Sequence, residues 1–127
     1  MSLAAFETVA FIPSTDFAKA RAFYDGTLGL KLVAEDGHAL VFELGPHKQM
    51  LRIAKAPGFT PLPFTQFGWQ VPDIHATVAE LTAAGVEFIR YSFFEQDEAG
   101  VWTSPAGAKI AWFKDPDGNT LSLSSHP

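Results

Sequence analysis

The sequence predicts an α+β fold built from two copies of one βαβββ module. The clearest sign is an internal similarity, because "STDFAKARAFYDGTLGLKLV" at 14–33 resembles "VPDIHATVAELTAAGVEFI" at 71–89. A strand-like run precedes each of these segments, and further strand-like runs follow it. Between the two copies, "KAPGFTPLPFT" at 55–65 contains three prolines and predicts a stiff connector without a regular element.

Each repeated segment predicts a helix with a cap at both ends. Asp16 and Asp73 suit the N-cap position, where a carboxylate accepts hydrogen bonds from free backbone amides. Gly29 and Gly85 suit the position after the helix, where a residue in the left-handed conformation ends it. Apolar residues recur at helical spacing in both segments, so we expect each helix to bury one face.

The strand-like runs give the same order in each half, which is strand, helix and three strands. In the first half they cover 7–12, 30–35, 38–44 and 49–54, with a turn at 45–48. In the second half they cover 64–71, 86–94, 100–104 with 109–113, and 120–125. The turn "DPDG" at 115–118 places Pro116 and Gly118 where a tight turn needs them, so it joins the last two strands as a hairpin.

Composition and charge narrow the class of protein. The 127-residue chain has the size of one domain, and its apolar runs are far shorter than the roughly 20 residues that cross a bilayer. It has no cysteine, which removes thiolate and disulfide chemistry, and its first residues make a poor secretory signal. The net charge is −5 and the basic residues are scattered. We therefore expect a cytoplasmic globular protein whose partners are neither nucleic acid nor membrane.

The last predicted strand, "TLSLSS", has two different faces. Leu121 and Leu123 share the side that belongs to the core, and Thr120, Ser122 and Ser124 share the other side. That row of hydroxyl groups is either solvated surface or part of a site. The chain also contains 12 Phe, three Trp and two Tyr, which is more than a small core needs. Some of these rings are expected to line a pocket.

In the order of its motifs the chain resembles the vicinal oxygen chelate superfamily, which includes glyoxalase I, extradiol dioxygenases and bleomycin-resistance proteins. The motifs are "ARAFYDGTLGLKL", "FGWQVPDIHATVAELTAAGVEF" and "WFKDPDGNTLSL". The resemblance implies one domain over 1–127, with module one at about 5–56 and module two at about 64–125. It further implies that the curled, mainly antiparallel sheets form a cavity. A homodimer is expected too, because cavities in this superfamily are often completed across two chains.

The resemblance also implies where metal ligands of the superfamily's enzymes would stand. Those positions hold Val9, Arg52, Gln66 and Ser122. Valine has no donor atom, arginine is a permanent cation and serine is a weak neutral ligand, so we expect neither a metal nor another cofactor. A register shifted by one residue would change the assignment, and Glu7 shares a strand face with Val9. The expected ligand-binding residues are Val9, Phe11, Arg52, Gln66, Trp112 and Ser122.

Arg52 is the expected polar anchor of the cavity. In "QMLRIA", Leu51 and Ile53 take the core face and Arg52 takes the other face. A guanidinium group away from water needs a partner, because an unpaired charge there is strongly unfavourable. The partner is either an internal acid, such as Glu7 or Glu43, or a carboxylate, phosphate or enolate of the ligand.

Three classes of function fit these residues. The favoured one is a metal-free binder of a small aromatic or anionic molecule, as in the antibiotic-sequestering branch of the superfamily. The second is a metal-dependent lyase or dioxygenase whose ligands stand in a shifted register. The third is a metal-free isomerase with Glu7, Glu43 or His38 as the base, so whether the chain is an enzyme stays open. His47, His75 and His126 are expected on the surface, and no paired-histidine spacing or Ser-His-Asp arrangement is recognisable.

Overall fold

The computed structural model describes residues 2–127, which divide into two compact units. One unit ends at Thr60 and the other spans Pro61–Pro127. Each unit has a helical segment after its first strand and a four-stranded sheet that mixes parallel and antiparallel pairs. The predicted α+β fold of two βαβββ modules is confirmed, and residues 56–64 between the modules form no helix or strand, as predicted.

The first unit contains the first sheet, in the order β1-β4-β3-β2. β1 is parallel to β4 and the other pairs are antiparallel. The predicted turn at 45–48 joins β3 to β4 and begins with Gly45 at a φ of 67°. The bounds of the strands are β1 Val9–Ser14, β2 Lys31–Glu35, β3 Ala39–Leu44 and β4 Gln49–Lys55.

The helical segment of the first unit changes type along its length. It begins as a regular α-helix, α1, at Phe17–Arg21 and continues as a π-helix at Ala22–Thr27. The sequence predicted a regular helix throughout this segment. Gly26, which has a low helix propensity, lies in the π-helical part. The segment ends before Gly29, whose φ of 72° places it in the predicted left-handed conformation.

The second unit contains the second sheet, in the order β5-β8-β7-β6. β5 is parallel to β8, and the remaining pairs are antiparallel. Its helix is α2, Ile74–Ala83, and no helix in residues 2–127 is long and apolar enough to span a membrane. The bounds of the strands are β5 Thr65–Gln70, β6 Trp102–Thr103, β7 Lys109–Lys114 and β8 Thr120–Ser125.

Both predicted N-caps are confirmed. The Asp16 carboxylate accepts a hydrogen bond from the backbone amide of Lys19 at 3.1 Å. The Asp73 carboxylate accepts one from the amide of Ala76, also at 3.1 Å. Each bond satisfies an amide that has no partner within its own helix. Gly85, after α2, has a φ of 98°, as the capping pattern predicted.

The core of each unit lies on the side of its sheet that faces the helical segment. In the first unit the ring of Tyr24 packs on Phe42, with centroids 6.1 Å apart. In the second unit Ile74 and Val78 of α2 are buried beside the sheet. The buried strand residues on this side are Ile12, Leu40, Phe42, Leu51 and Ile53 in the first unit, and Ala111, Phe113, Leu121 and Leu123 in the second.

One predicted strand was wrong. Residues 86–94 form no strand, and only an isolated bridge joins Phe88 to Phe113 of β7. The first of the three strands after α2 is instead the two-residue β6, which β7 and β8 follow. The physical reason is that the carbonyl groups of Ile89 and Gly100 and the amide of Tyr91 bond to the side chain of Gln96 and not to a neighbouring strand. The apolar side chains of residues 86–94 therefore pack against other rings and do not form part of a strand.

Candidate functional site

The helix-free face of the second sheet carries aromatic and hydroxyl side chains side by side. Trp112 on β7 lies directly opposite Ser122 on β8, and Ser122 lies opposite Gly68 on β5. Thr120 and Ser124 share this face because alternate strand residues point the same way. The two leucines between them are buried on the helix side, so the alternation predicted from "TLSLSS" is confirmed.

Gly68 leaves room for the Ser122 side chain. A Cβ atom at Gly68 would lie 2.9 Å from the carbonyl oxygen of Ser122 and would also collide with the Ser122 hydroxyl. Side-chain carbons do not approach other atoms so closely, so this position accepts only glycine without a shift of β5 or β8. The serine hydroxyl consequently lies over the β5 backbone.

Five rings meet on this face and form what we call the aromatic cluster: Tyr91, Phe93, Phe94, Trp102 and Trp112. Phe94 is stacked on Trp112, with centroids 5.1 Å apart, and lies 4.5 Å from Trp102. Tyr91 meets Trp112 edge to face at 5.3 Å. Phe93 contacts Tyr91 and Phe94 but is 73% exposed. The cluster is therefore packed at its base and presents one ring to solvent.

Gln96 holds the loop that carries three of these rings. Its side-chain oxygen accepts a hydrogen bond from the backbone amide of Tyr91 at 2.7 Å. Its side-chain nitrogen donates to the carbonyl oxygens of Ile89 at 2.9 Å and Gly100 at 2.7 Å. Because the amide uses its oxygen and both hydrogens, it cross-links the two ends of the loop. This bracing fixes where the Tyr91 ring meets the sheet.

Asp97 ties the same loop to α2. One carboxylate oxygen accepts hydrogen bonds from the amides of Ala99 and Val101, each at 3.0 Å. The other lies 2.7 Å from Nε2 of His75 on the first turn of α2. Partial burial raises the pKa of Asp97, but the bonds from His75 and the two amides outweigh it, so the pKa is lowered. His75 is half exposed, as predicted, although it has a specific partner.

Sequence reasoning missed most of the cluster. Trp112 was among the predicted site residues, whereas the residues of "YSFF" at 91–94 were assigned to a strand. In a strand their side chains would alternate between two faces, so Phe93 and Phe94 would not both have been placed beside Trp112. The available signal was the abundance of rings, which indicated a pocket lining without naming its members.

Gln66 occupies an irregular position in β5. The register of β5 against β8 shifts between Thr65 and Phe67, which makes Gln66 the extra residue of a bulge. Gln66 is half-buried, and its side chain makes no hydrogen bond within residues 2–127. The neighbouring Thr65 hydroxyl accepts a hydrogen bond from Nε1 of Trp112 at 3.1 Å. Polar atoms of β5 thus lie next to the base of the cluster.

The other predicted site residues lie on the helix-free face of the first sheet. Phe11 pairs with Arg52 across β1 and β4, and Val9 pairs with Met50. The three apolar residues are markedly exposed, with Phe11 at 58%, Val9 at 44% and Met50 at 39%. The structure therefore brings Val9, Phe11 and Arg52 together on one sheet, as it brings Gln66, Trp112 and Ser122 together on the other.

Arg52 has an acidic neighbour that the sequence did not single out. Its guanidinium lies 3.8 Å from the Asp36 carboxylate, and the two side chains are 30% and 58% exposed. No ion pair joins Arg52 to Glu7 or Glu43 within the described chain. The backbone amides of His38 and Ala39, and then Arg52, lower the pKa of Asp36. The pair is long and partly solvated, so Arg52 keeps donors for a further partner.

The candidate base residues of an isomerase are scattered. Glu7 lines a shallow groove of about 400 Å³ in the first unit, together with His47. Glu43 is half-buried on β3, and His38 is exposed before that strand. His126 is exposed as well, with Nε2 3.1 Å from the Ser124 hydroxyl. None of these groups forms a hydrogen-bonded pair with another acid or base of the set among residues 2–127.

The donor atoms do not fit the metal that the superfamily's enzymes would carry. Val9 offers no donor and Arg52 offers a cation, while Gln66 and Ser122 offer neutral oxygens. A divalent ion in a protein is held by several imidazole or carboxylate ligands. Among residues 2–127 no three His, Asp or Glu side chains are grouped so that they could hold an ion.

Comparison with known proteins agrees with this fold. TnmS3, an antibiotic binding protein from Streptomyces sp. CB03234, is 24% identical with a TM-score of 0.75, and 96% of each chain is covered. A superfamily member from Sphaerobacter thermophilus DSM 20745 is 24% identical with a TM-score of 0.73, covering 95% of this chain and 97% of that one. Lactoylglutathione lyase from Agrobacterium tumefaciens is 19% identical with a TM-score of 0.66, covering 95% and 93%.

Among curated proteins none matches this chain. A family model described as "Glyoxalase/Bleomycin resistance protein/Dioxygenase superfamily" matches residues 6–123. That match spans nearly the whole sequence and includes both modules and the residues of the aromatic cluster. The chain belongs to the glyoxalase/bleomycin resistance protein/dioxygenase superfamily.

Proposed function

We propose that this chain is a cytoplasmic, metal-free binder of a small aromatic or anionic molecule. The observation that carries the proposal is the aromatic cluster, in which Phe93 is 73% exposed and contacts Phe94, the ring that is stacked on Trp112. An exposed ring packed against other rings offers an apolar surface on which a planar molecule can stack. Hydroxyl groups beside it, from Thr120 and Ser122, supply polar contacts that orient a ligand.

The chemistry of the metal-ligand positions supports the metal-free part of the proposal. Val9 and Arg52 stand at two of the positions where the superfamily's metal enzymes have ligands, and an arginine cation there would repel a divalent ion. The same arginine can hold an anionic group through its planar donor fork. We therefore propose Val9, Phe11 and Arg52 of the first sheet as ligand contacts, and likewise Gln66, Trp112 and Ser122 of the second sheet.

A structural relative gives independent support for the class of ligand. TnmS3 is named an antibiotic binding protein, and it shares the fold of this chain at 24% identity. Antibiotics that proteins sequester are small molecules, which matches the scale of a ring cluster of five side chains. Binding without catalysis is accordingly the function that we propose, rather than the lyase reaction named for another relative.

The proposal includes a homodimer. The exposed Val9, Phe11 and Met50 form an apolar patch on the helix-free face of the first sheet. Apolar side chains grouped in this way are typical of surfaces that another chain covers. We expect light scattering at micromolar concentration to give twice the mass of the 13.8 kDa chain. A monomer mass under these conditions would remove this part of the proposal.

Calorimetry with two matched probes tests the binding function. The probes are 2-naphthoate, which is planar and anionic, and 2-naphthamide, which has the same shape without the charge. Replacing the exposed Phe93 by Ala should weaken the binding of both probes about three- to tenfold, because each loses one stacked ring. The control is Phe6→Ala, which removes a ring that is 55% exposed in the first unit. A parent protein that binds neither probe would contradict the proposal. Equal losses of affinity in Phe93→Ala and Phe6→Ala would also contradict it.

Metal titration tests the metal-free part separately. Protein purified without chelator and incubated with Zn²⁺, Ni²⁺, Mn²⁺ or Fe²⁺ should retain far less than one equivalent per chain. Its Tm should not rise, because only an ion that binds the native state stabilises it. Stoichiometric retention with a clear rise in Tm would favour the alternative of a metal-dependent lyase or dioxygenase.

A further inference from the structure

A pocket of about 300 Å³ adjoins the aromatic cluster within the second unit. The pocket and the cluster share Tyr91, whose ring packs on Trp112. Lys114 and Thr120, at the end of the β7–β8 hairpin, line the same pocket. Its remaining walls are mostly apolar and come from Pro61, Leu62, Pro63, Ile89 and Gly118. A molecule stacked on the rings therefore has a partly polar pocket beside it.

Three polar groups of this pocket have no partner within residues 2–127. The ammonium group of Lys114 makes no hydrogen bond or ion pair. The Thr120 hydroxyl makes no hydrogen bond, although the residue is only 3% exposed, and the Tyr91 hydroxyl makes none either. Lys114 is exposed and Tyr91 is half-buried, so these groups are within reach of a molecule that enters the pocket. All three are therefore available as hydrogen-bond donors to a ligand.

Lys114 is the charged residue among those that line this pocket. Lys114 pairs directly with Thr120 across β7 and β8, which brings an ammonium group and a hydroxyl group to neighbouring positions on one face. The nearby Asp115 carboxylate is occupied by the Asp117 amide and by the amide and side chain of Asn119. Burial raises the pKa of Tyr91, so its hydroxyl stays protonated at neutral pH and can donate. All three groups can therefore donate hydrogen bonds to one anion.

We propose that this pocket is an anion subsite, in which Lys114, Tyr91 and Thr120 bind the carboxylate of an aromatic ligand. The inference rests on the proposed function and makes it specific, because it names the ligand class as planar aromatic acids. The aromatic cluster binds the ring system and the pocket selects the acidic group. A hydrogen bond from a charged ammonium group to a carboxylate is stronger than one between neutral groups.

Because 2-naphthoate and 2-naphthamide have the same shape, comparing their affinities separates the effect of the ligand's charge from the effect of ring stacking. The parent protein should bind 2-naphthoate more tightly than 2-naphthamide. Lys114→Gln should weaken 2-naphthoate binding about tenfold and leave 2-naphthamide binding unchanged. Tyr91→Phe, which keeps the ring, should weaken 2-naphthoate binding several-fold. The control is Lys109→Gln on the same strand, because alternation places Lys109 on the other face and its ammonium bonds to the Thr103 hydroxyl.

The outcomes distinguish the subsite from the proposed function. Equal affinities of the parent for the two probes would overturn the anion subsite, and so would equal effects of Lys114→Gln and Lys109→Gln. If Phe93→Ala still weakened both probes in that case, the aromatic surface would stand without the subsite. A parent protein that binds neither probe would overturn the proposed function and the subsite together.

Discussion

The ring of Phe94 lies parallel to the indole of Trp112, with centroids 5.1 Å apart and an interplanar angle of 1°. Phe94 belongs to an irregular loop, whereas Trp112 belongs to the central part of the second sheet. The stack therefore adds a side-chain contact to the isolated backbone bridges that join this loop to the sheet at Phe88 and Gln96. Phe93, its neighbour in sequence, is 73% exposed and is free to contact a ligand.

Phe94 and Phe93 should differ sharply in their effect on stability. Phe94→Ala should lower the free energy of unfolding by about 2 kcal/mol, because it removes half-buried ring contacts to both Trp102 and Trp112. Phe93→Ala should lower it by less than about 0.5 kcal/mol, because most of that ring is in solvent. Urea unfolding measures both values. Equal losses in the two variants would show that the loop is not held by the stack.

The glycine at position 68 should not tolerate a methyl group. Gly68→Ala should cost about 1–3 kcal/mol of unfolding free energy, because the new carbon would meet the Ser122 carbonyl oxygen at 2.9 Å. The control is Gly26→Ala, where no atom lies within 4 Å of the added carbon. That change should be neutral or stabilising by up to about 1 kcal/mol. Thermal unfolding of both variants tests the contrast, and a tolerated Gly68→Ala would contradict it.

Most of the fold could be predicted because its signals are local. Alternating leucines and hydroxyls define β8, and an aspartate followed by an apolar helical pattern defines each capped helix. The segment 86–94 could not be predicted, because its apolar and β-prone residues also suit a strand. Its structure depends on contacts from outside the segment, such as the bonds of the Gln96 side chain to backbone groups as far as seven residues away. A single polar residue outside the segment gives no pattern that a sequence window can detect.

The candidate site residues came mainly from the superfamily resemblance. It placed Ser122 at a metal-ligand position, with Trp112 as a packing surface, and the two lie directly opposite each other. The partner of Arg52 was expected among internal acids, but Asp36 lies in an exposed turn. The remaining rings of the cluster reach Trp112 through a loop, and loop geometry depends on tertiary contacts. The assignment of Val9, Phe11, Arg52, Gln66, Trp112 and Ser122 to ligand contacts stays a prediction.

Asp97 should contribute stability that depends on pH. Its carboxyl pKa is lowered in the folded state, so its contribution is present above the unfolded value of about 3.9 and is lost as the pH falls through the folded pKa. Asp97→Ala should lower the unfolding free energy by about 1 kcal/mol at pH 7. The difference between variant and parent should shrink below about pH 4. The control is Glu95→Ala, which changes an exposed residue of the same loop.

Urea unfolding from pH 3 to pH 7 measures both variants. The difference in unfolding free energy between the parent and Asp97→Ala should grow with pH and then level off. Glu95→Ala should follow the parent at every pH. A difference for Asp97→Ala that is the same at pH 3 and pH 7 would contradict the role of the ionised carboxylate in holding the loop to His75.

Arg52 should be dispensable for the fold. Its ion pair with Asp36 is 3.8 Å long and partly exposed, so Arg52→Met should leave the midpoint of urea unfolding nearly unchanged. The pKa of Asp36 should rise only in part, because the amides of His38 and Ala39 are the larger causes of its lowering. An NMR titration of the Asp36 carboxyl carbon measures this. A return to the ordinary aspartate value would show that Arg52 dominates instead.

The three tryptophan indole N–H signals give the most direct test of where a ligand binds. Trp102 and Trp112 belong to the aromatic cluster, while Trp69 lies on the helix side of β5, stacked on Phe113. In a titration of ¹⁵N-labelled protein with 2-naphthoate, we expect the Trp102 and Trp112 signals to shift with one binding constant. The Trp69 signal should stay in place, because its Nε1 is buried away from the cluster face. Binding that shifts only Trp69, or that shifts none of the three signals, would contradict the assignment of the aromatic cluster as the ligand-binding surface.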